Sequence, residues 1–261
     1  MERIILEADN LTKKYKRRGK NRKGESFYAL SGVSFQLRQG EILGVLGESG
    51  CGKTTLARCL VGACSCTGNL FYDGRLLNLK SRVEKEDWRR KIQLVFQDSY
   101  SAFDCKRTIG YSLKEALSLR MNAADLDSSS ILPVLDSVGL SGGVLARFPG
   151  ELSGGQCQRL NIARALLLDP EILILDEPVS ALDTTIQMQL LKLLIKLRKE
   201  RQLTYIFISH DLPVVHYLCD RVLVLHHGKV VESGDARKVL EVPQQPYTQS
   251  LLDAIPMSAP K

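Results

Sequence analysis

The sequence has no long apolar run. Its 261 residues are 44% hydrophobic, yet no stretch approaches the ~20 apolar residues that a membrane-spanning helix needs. The first residues, Met1, Glu2 and Arg3, also lack the basic and then apolar plan of a secretory signal peptide. From these two absences we expect a chain that stays in the cytoplasm.

Paired cysteines are missing as well. The seven cysteines are scattered, without the C-x-x-C spacing of a zinc site or the framework of a small disulfide-linked domain. Only Cys64 and Cys66 lie close together in the sequence. We therefore expect reduced thiols. The sequence also has no internal repeat and no low-complexity tract.

Basic residues are in excess, with 36 Lys and Arg against 29 Asp and Glu and a net charge of +7. Much of the excess lies at 13–24, in KKYKRRGKNRKG. Such a run could bind nucleic acid or an anionic lipid, but its two glycines favour a solvated loop between two strands. We predict no nucleic-acid partner.

The order of apolar runs predicts an α/β fold. Alternating residues at 4–11 and 30–37 predict two or three antiparallel strands. After Gly40, four short apolar runs alternate with helical stretches, and each ends in a polar or glycine residue: EILGVLG, KIQLVFQ, EILILDEP and TYIFISHD. This arrangement is typical of a parallel sheet buried on both faces. Ligands bind at the carboxyl ends of such strands.

Two further regions differ from this core. The stretch at 98–150 is helical and polar, which predicts a helical subdomain, about 98–168, inserted into the α/β core. Prolines recur in the last 19 residues, so we predict a main domain at 1–242 and an irregular tail at 243–261. One short helix, at 248–254, is expected in that tail.

The stretch GESGCGKTT, at 47–55, follows a predicted strand and opens a predicted helix, which is the context of a P-loop. Gly47, Gly50 and Gly52 would let backbone N–H groups surround nucleotide phosphates. Lys53 would reach the β- and γ-phosphate oxygens, and Thr54 would offer its hydroxyl to Mg²⁺. The alternative is a plain glycine turn. The predicted nucleotide-binding residues here are Gly47, Glu48, Ser49, Gly50, Cys51, Gly52, Lys53, Thr54 and Thr55.

Cys51 lies inside this loop at a helix N-terminus. The helix dipole and Lys53 should lower the pKa of its thiol. Alkylating reagents should then block ATP binding. The alternative is that a small residue simply fits at this position.

The strand ends supply the remaining polar groups. Asp176 in ILILDEP is expected to hold the metal ion, and Glu177 to orient and polarise the attacking water. Gln97 would bridge the metal and the water, and His210 would donate to a γ-phosphate oxygen. The alternatives are an exposed acidic turn before Pro178 and a structural histidine. The predicted fold is thus a P-loop NTPase core with a mainly parallel sheet, an N-terminal antiparallel β subdomain and an inserted helical subdomain.

A second glycine pair opens another predicted helix, in ELSGGQCQRLNIARALL at 151–167. Ser153 is expected to be its N-cap, while Gly154 and Gly155 leave backbone N–H groups uncovered. Such a helix end can bind an anion. The sequence alone does not explain why one chain needs two such sites.

These motifs, in this order over nearly the whole chain, resemble the ATP-binding cassette (ABC) family, for which LSGGQ is highly specific. The resemblance implies a head-to-tail dimer with two ATP molecules at its interface. It implies that the signature residues bind the γ-phosphate of the partner's ATP: Ser153, Gly154, Gly155 and Gln156. It also implies that Asp183 in SALD bridges the subunits and that Gln97 couples hydrolysis to transport. Glu177 is implied as the general base, and Tyr15 as the adenine-stacking ring, with Phe27 and Tyr28 as rival aromatics.

The segments FQDSYSAFDCKRTIG and PQQPYTQSLLDAIP are similar to ATPase subunits of the peptide and nickel import family. The resemblance implies an ATP-hydrolysing importer subunit at the cytoplasmic face of the cell membrane, with ATP and Mg²⁺. Its expected partners are a second, unlike ABC ATPase, two integral membrane permease subunits and a substrate-binding protein. Ser99, where many peptide-type members show proline, favours nickel slightly. No cysteine follows Cys219, so no iron–sulfur cluster is expected.

The resemblance implies that the membrane subunits dock at 100–103, and Phe103 is expected to be an exposed anchor there. A soluble ABC ATPase of translation or DNA repair is the first alternative, although it would usually carry two cassettes or a long coiled coil. A nucleotide sensor without activity is the second, although it would lack Glu177.

Overall fold

The structure is a computed structural model that describes residues 3–16, 26–120 and 128–254. Most of the predicted basic loop at 13–24 therefore lies outside the described residues. Within these ranges the strands are β1 (Ile4–Lys16), β2 (Ser26–Arg38), β3 (Ile42–Leu46), β4 (Thr67–Tyr72), β5 (Arg75–Leu76), β6 (Ile92–Val95), β7 (Ile172–Asp176), β8 (Thr204–Ile208), β9 (Arg221–His226) and β10 (Lys229–Asp235). The helices are α1 (Lys53–Leu60), α2 (Arg82–Lys91), α3 (Ile109–Ser118), α4 (Leu132–Ser137), α5 (Gly154–Leu166), α6 (Thr184–Arg201), α7 (Leu212–Leu218), α8 (Ala236–Glu241) and α9 (Pro246–Asp253).

The chain divides into two compact units, and unit 1 comprises 1–89 and 204–261. Its first sheet is antiparallel, with strand order β2-β1-β4-β5. Ala8 of β1 is opposite Phe35 of β2 and, on the other side, Leu70 of β4. The predicted antiparallel strands are confirmed, but β1 and β2 are longer than 4–11 and 30–37.

Unit 1 also contains four strands in the order β10-β9-β3-β8. β3 is parallel to both β8 and β9, while β10 is antiparallel to β9. Every residue of β3 and β8 is buried, as continuous apolar strands in a parallel sheet require. Val45 is opposite Ile208, so the segments that follow β3 and β8 emerge at the same edge of the sheet.

Unit 2 comprises 90–203. Its strands β6 and β7 are parallel, with Val95 opposite Leu175. Between 98 and 168, the described elements are all helical, as predicted. The packed side of α5 includes Leu160 and Ala163, which are fully buried.

The predicted short helix in the tail is confirmed as α9, which begins two residues before the predicted 248. It belongs to unit 1 and buries Leu251 and Thr248. Across the described ranges, no helix combines the length and apolarity that a membrane crossing requires.

Candidate active site

The loop between β3 and α1 has the backbone of a phosphate cradle. Gly47, Gly50 and Gly52 have φ angles of 144°, 81° and 117°. A Cβ on Gly47 would lie 2.2 Å from the carbonyl oxygen of Leu225, and one on Gly52 would lie 2.4 Å from that of Ala29. Only glycine fits at these two positions, because the loop passes against neighbouring backbone.

The first turn of α1 has no side-chain cap, because its N-cap residue is Gly52. Its backbone N–H groups are therefore available to an anion. Lys53 is 7% exposed, and its ammonium donates to the carbonyl oxygens of Gly47 at 2.6 Å and Glu48 at 2.9 Å. Thr54 is exposed. The loop thus places a cation and a hydroxyl beside the uncapped helix end.

Cys51 differs from the prediction. Its side chain is 6% exposed and its Sγ lies 4.0 Å from the Lys53 ammonium. Burial raises the pKa of the Cys51 thiol, and Lys53 offsets this only in part. The predicted low pKa was wrong, because helix-terminus and lysine effects on the thiolate are outweighed by the loss of solvent.

His210 lies two residues beyond the end of β8 and is exposed. The adjacent Ser209 is buried, and its backbone N–H donates to the carbonyl oxygen of Val45, one residue before the end of β3. Asp211 is the N-cap of α7 and accepts from the Val214 N–H. His210 therefore follows the strand next to the one that leads into the P-loop.

Tyr247 of α9 is a residue that the sequence analysis did not identify. The Glu48 N–H, inside the P-loop, donates to the Tyr247 hydroxyl at 3.3 Å. The Tyr247 ring packs on His226, with 3.8 Å between centroids. Burial raises the pKa of Tyr247, so its hydroxyl stays protonated. No sequence signal marked Tyr247, because its contact with the P-loop spans 199 residues of chain.

In unit 2, Gln97 and Glu177 lie together. Gln97 is two residues beyond the end of β6 and Glu177 is one beyond β7, so both follow paired strands. The Gln97 amide donates to the Glu177 carboxylate at 3.2 Å. Glu177 has a φ of +48°, an unusual conformation for a non-glycine residue that costs about 1 kcal/mol or more.

Asp176 is the last residue of β7 and is 4% exposed. Neither Asp176 nor Glu177 forms the exposed acidic turn that was the alternative, since Asp176 is buried and Glu177 is half-buried. A group of three or more His, Cys, Asp or Glu side chains with metal-site geometry is absent from the residues that the structure describes.

The signature helix α5 begins as predicted. Ser153 is its N-cap: its Oγ accepts from the Gln156 N–H at 3.3 Å, and the Gln156 side chain accepts from the Ser153 N–H at 3.1 Å. This is a capping box. A Cβ on Gly155 would lie 2.7 Å from Ile186 of α6. The second glycine therefore has a packing role whether or not an anion binds here.

Two residues assigned through the resemblance have local partners. Asp183 is exposed and is the N-cap of α6, accepting from the Ile186 N–H at 3.0 Å. Tyr15 is half-buried in β1, with its ring 5.9 Å from that of Phe27 and beneath the Lys13 ammonium. Phe27 and Tyr28 are more exposed than Tyr15, at 45% and 55%.

Phe103 is not the exposed anchor that the sequence predicted. It is 6% exposed, with the Arg164 guanidinium over its ring. The exposed aromatics nearby are Tyr100, at 43%, and Phe96, at 45%. The Tyr100 hydroxyl donates to the Leu152 carbonyl at 2.8 Å. The Phe103 ring therefore packs beneath Arg164 of α5 rather than facing solvent, and sequence spacing alone does not reveal this.

Comparison with known proteins identifies relatives of this chain. Residues 30–180 match the model of the ABC transporter family. The dipeptide transport ATP-binding protein DppF of Haemophilus influenzae is 41% identical over 259 residues, which cover 98% of this chain and 79% of that protein. The oligopeptide transport ATP-binding protein OppF of Bacillus subtilis is 42% identical over 236 residues, covering 89% and 77%.

A solved structure gives the same fold. The ATP-binding cassette MJ0796, as a dimer in a post-hydrolysis state bound to ADP and Pi, aligns with a TM-score of 0.77 and 29% identity. The alignment covers 89% of this chain and 99% of that one. The predicted α/β fold is confirmed by this likeness and by the two sheets described above.

Proposed function

This chain belongs to the ABC transporter family and is one of its ATP-binding, ATP-hydrolysing subunits, and we propose that it energises the uptake of peptides. The observation that carries the choice of cargo is the identity of about 40% to dipeptide and oligopeptide transport proteins over nearly the whole chain. The predicted preference for nickel rested on Ser99 alone. Peptides are therefore the better-supported cargo.

We assign the binding of ATP to the P-loop. Its glycine backbone surrounds the phosphates, and Lys53 exchanges its contacts with Gly47 and Glu48 for phosphate oxygens. His210, after the neighbouring strand, is assigned to the γ-phosphate. The uncapped start of α1 supports this, since it leaves backbone donors for an anion.

The donors that the family assigns to Mg²⁺ are all oxygen atoms, as this hard cation prefers: the Thr54 hydroxyl, the Asp176 carboxylate and the Gln97 amide. The burial of Asp176 supports a charged partner. When bound, Mg²⁺ would neutralise charge on the phosphates. The Asp176 carboxylate would hold it.

We assign the general base to Glu177. Its carboxylate already accepts a hydrogen bond from Gln97, which restricts where the carboxylate can point. Its left-handed backbone is the kind of local strain that is concentrated at functional sites. Glu177 would orient a water and take its proton as the water attacks the γ-phosphorus.

The signature helix is assigned to the ATP of a second subunit. Ser153 uses its hydroxyl to cap its own helix, but the N-terminal dipole and the backbone of Gly154 and Gly155 remain suited to an anion. Asp183 is assigned to the contact between subunits. This assignment explains why one chain has two phosphate-binding helix ends, since each would serve a different ATP molecule.

The partners proposed are an unlike second ABC ATPase, two membrane permease subunits and a substrate-binding protein. The chain would then be peripheral, at the cytoplasmic face of the membrane. In unit 2, the exposed Phe96 lines a cavity together with Gln93, Asn161 and Arg164, and the exposed Tyr100 directly precedes another lining residue, Ser101. We propose that a helix of a permease subunit binds at this surface rather than at Phe103.

The test is uptake into vesicles that contain the complete transporter. Labelled dipeptide, labelled oligopeptide and a Ni²⁺ chelate are supplied with the purified binding protein, and transported label and released phosphate are both measured. We expect ATP-dependent peptide uptake that is lost in Lys53→Ala. Uptake of Ni²⁺ without peptide would refute the cargo, and phosphate release without uptake of either would refute the transport function.

A further inference from the structure

A carboxylate outside the residues assigned to nucleotide chemistry holds the start of α9 to β10. The Glu232 side chain, in β10, accepts from the backbone N–H groups of Gln244 at 2.8 Å and Gln245 at 3.2 Å, one on each carboxylate oxygen. These two residues come immediately before α9, and Gln245, its N-cap residue, forms no side-chain cap. Glu232 therefore fixes where α9 begins relative to β10.

An extra residue in β10 aims this carboxylate. Val230 is opposite Leu225 of β9, whereas Glu232 is opposite Val224, so Val231 is an insertion in the pairing. Such a bulge bends the strand and redirects the side chains that follow it. Without the insertion, Glu232 would point to the opposite face of the sheet. The bulge thus brings the carboxylate to the chain that precedes α9.

Tyr247, the second residue of α9, connects this anchored helix to the P-loop. Its hydroxyl accepts from the Glu48 N–H at 3.3 Å. Its ring packs on His226, the last residue of β9, with 3.8 Å between centroids. The His226 ring therefore limits where the Tyr247 hydroxyl can lie. We call Glu232, His226 and Tyr247 the tail clamp.

The turn between β9 and β10 holds the P-loop at a second point. The Gly228 N–H, in that turn, donates to the Cys51 carbonyl oxygen at 2.9 Å. At Glu48 the backbone is held from both sides, because its carbonyl oxygen accepts from the Lys53 ammonium at 2.9 Å while its N–H donates to Tyr247. The loop is therefore fixed near its start and near its middle by other parts of unit 1.

We propose that Glu232 and His226 are positioning residues for ATP, which act through Tyr247 to hold the P-loop in the shape that binds phosphates. The proposal rests on the ATP-binding function given above and extends it to the tail. A loop already held in its binding shape binds more tightly, because less order has to be imposed on binding. Coupling between two sites is reciprocal, so bound ATP must stabilise the tail clamp by the same factor.

The first test is a titration of the full-length chain, with Mg²⁺, using ATP that carries a fluorescent methylanthraniloyl group on its ribose. His226→Ala removes the ring that supports Tyr247. We expect its Kd to rise about two- to tenfold, the range that corresponds to the loss of one hydrogen bond. His226→Phe keeps a flat ring at this position, so its Kd should stay within about twofold of wild type.

Glu232→Ala tests the other end of the tail clamp. It removes both acceptors for the residues before α9, and we expect a similar rise in Kd. The matched control is Glu241→Ala, at an exposed glutamate of α8 in the same unit, which should leave the Kd unchanged. Thermal unfolding of each variant checks that the fold is kept.

Hydrogen–deuterium exchange distinguishes positioning from packing alone. In wild type, saturating ATP should slow exchange of the backbone N–H groups at 244–252 by about the factor by which His226→Ala raises the Kd. In His226→Ala, ATP should change this exchange little. A substitution that only loosened the packing of α9 would leave the Kd for ATP unchanged.

Three results would overturn the proposal: a Kd in His226→Ala and Glu232→Ala that equals or lies below the wild-type value, a His226→Phe variant that binds as weakly as His226→Ala, or exchange at 244–252 that ATP does not change in wild type. A tighter Kd would mean that the tail clamp restrains the P-loop from binding. Failure of the wild-type chain to bind the ATP analogue at all would instead refute the ATP-binding function, and the proposal with it.

Discussion

At the scale of single residues, Glu177 combines three features: a position at the end of a buried strand, a left-handed backbone and a hydrogen bond from Gln97. Glu177→Gln keeps the size of the side chain and removes its ability to take a proton. Loss of one positioned base commonly lowers a rate by 10² to 10⁴, or roughly 3 to 5 kcal/mol. We expect phosphate release by the complete transporter to fall by that factor, while ATP binding persists.

The matched control for this change is Glu115→Gln, on the exposed face of α3 in the same unit. It should leave phosphate release within about twofold of wild type, since surface changes away from a site have little effect. Near wild-type turnover in Glu177→Gln would show that Glu177 is not the general base.

Tyr247 supports the P-loop from the tail of the chain. Tyr247→Phe removes only the hydroxyl that accepts from the Glu48 N–H. A hydrogen bond contributes about 0.5 to 1.5 kcal/mol net, so we expect the KM for ATP to rise by up to about tenfold with kcat nearly unchanged. Steady-state phosphate release measures both constants.

Tyr217→Phe is the control, because Tyr217 is a half-exposed ring on α7 in the same unit. It should change neither constant. A fall in kcat with an unchanged KM in Tyr247→Phe would contradict a role in nucleotide binding.

At the scale of elements, four apolar runs predicted strands and all four formed, as β3, β6, β7 and β8. Their residues are almost all apolar, because both faces of the sheet are covered. The signature helix was also predicted from local chemistry, since Ser153 and Gln156 form a capping box within four residues. Local signals of this kind can be read without knowing the rest of the fold.

Two predictions were wrong at this scale, and both depended on how side chains pack in the folded chain. Phe103 was expected at the surface, yet Arg164, 61 residues later, covers its ring. The thiol of Cys51 was expected to be acidic, yet burial dominates its pKa. In both cases the residue type was read correctly from the sequence. The exposure of Phe103 and the pKa of Cys51, however, depend on residues that are close in space and not on the local sequence alone.

The segment between β6 and α3 gives a prediction about stability. Phe103→Ala removes a buried ring, a change that typically costs 3 to 5 kcal/mol of the free energy of unfolding. We expect denaturant unfolding of the isolated chain to show a loss of about that size. Tyr100→Phe, which removes only the hydroxyl donor to Leu152, should cost about 1 kcal/mol. Equal midpoints for Phe103→Ala and wild type would contradict the buried position.

At the scale of the whole molecule, the assigned residues are divided between the two units. Gly47, Lys53 and His210 belong to unit 1, and Glu177 and Ser153 belong to unit 2. The family model spans residues 30–180, so it includes four of these five and leaves out His210. The assembly of the subunits determines which P-loop's ATP the signature helix contacts. The sequence pattern and the fold of one chain do not determine it.

A mixing experiment addresses the assembly. Lys53→Ala disables the chain's own ATP site, while Ser153→Arg places a bulky cation at the helix end assigned to a partner's ATP. If the chain pairs with itself, a mixed dimer keeps one intact site and the mixture regains phosphate release. We propose an unlike partner, so we expect little activity for this chain alone and no recovery on mixing.

Adding the second ATPase and the membrane subunits should supply the missing half of each site. In that complex, Ser153→Arg should impair hydrolysis while ATP stays bound at this chain's own P-loop, as nucleotide cross-linking to each subunit would measure. Because Ser153 also caps α5, its loss costs about 1 kcal/mol of helix stability. Ser153→Asn, which retains a good cap, is therefore the control for folding and should unfold like wild type.

Recovery on mixing without any partner would refute the unlike pairing. Loss of ATP from this chain's own P-loop in a folded Ser153→Arg complex would refute the assignment of the signature to the partner's ATP, because an intact P-loop needs no help from its own α5.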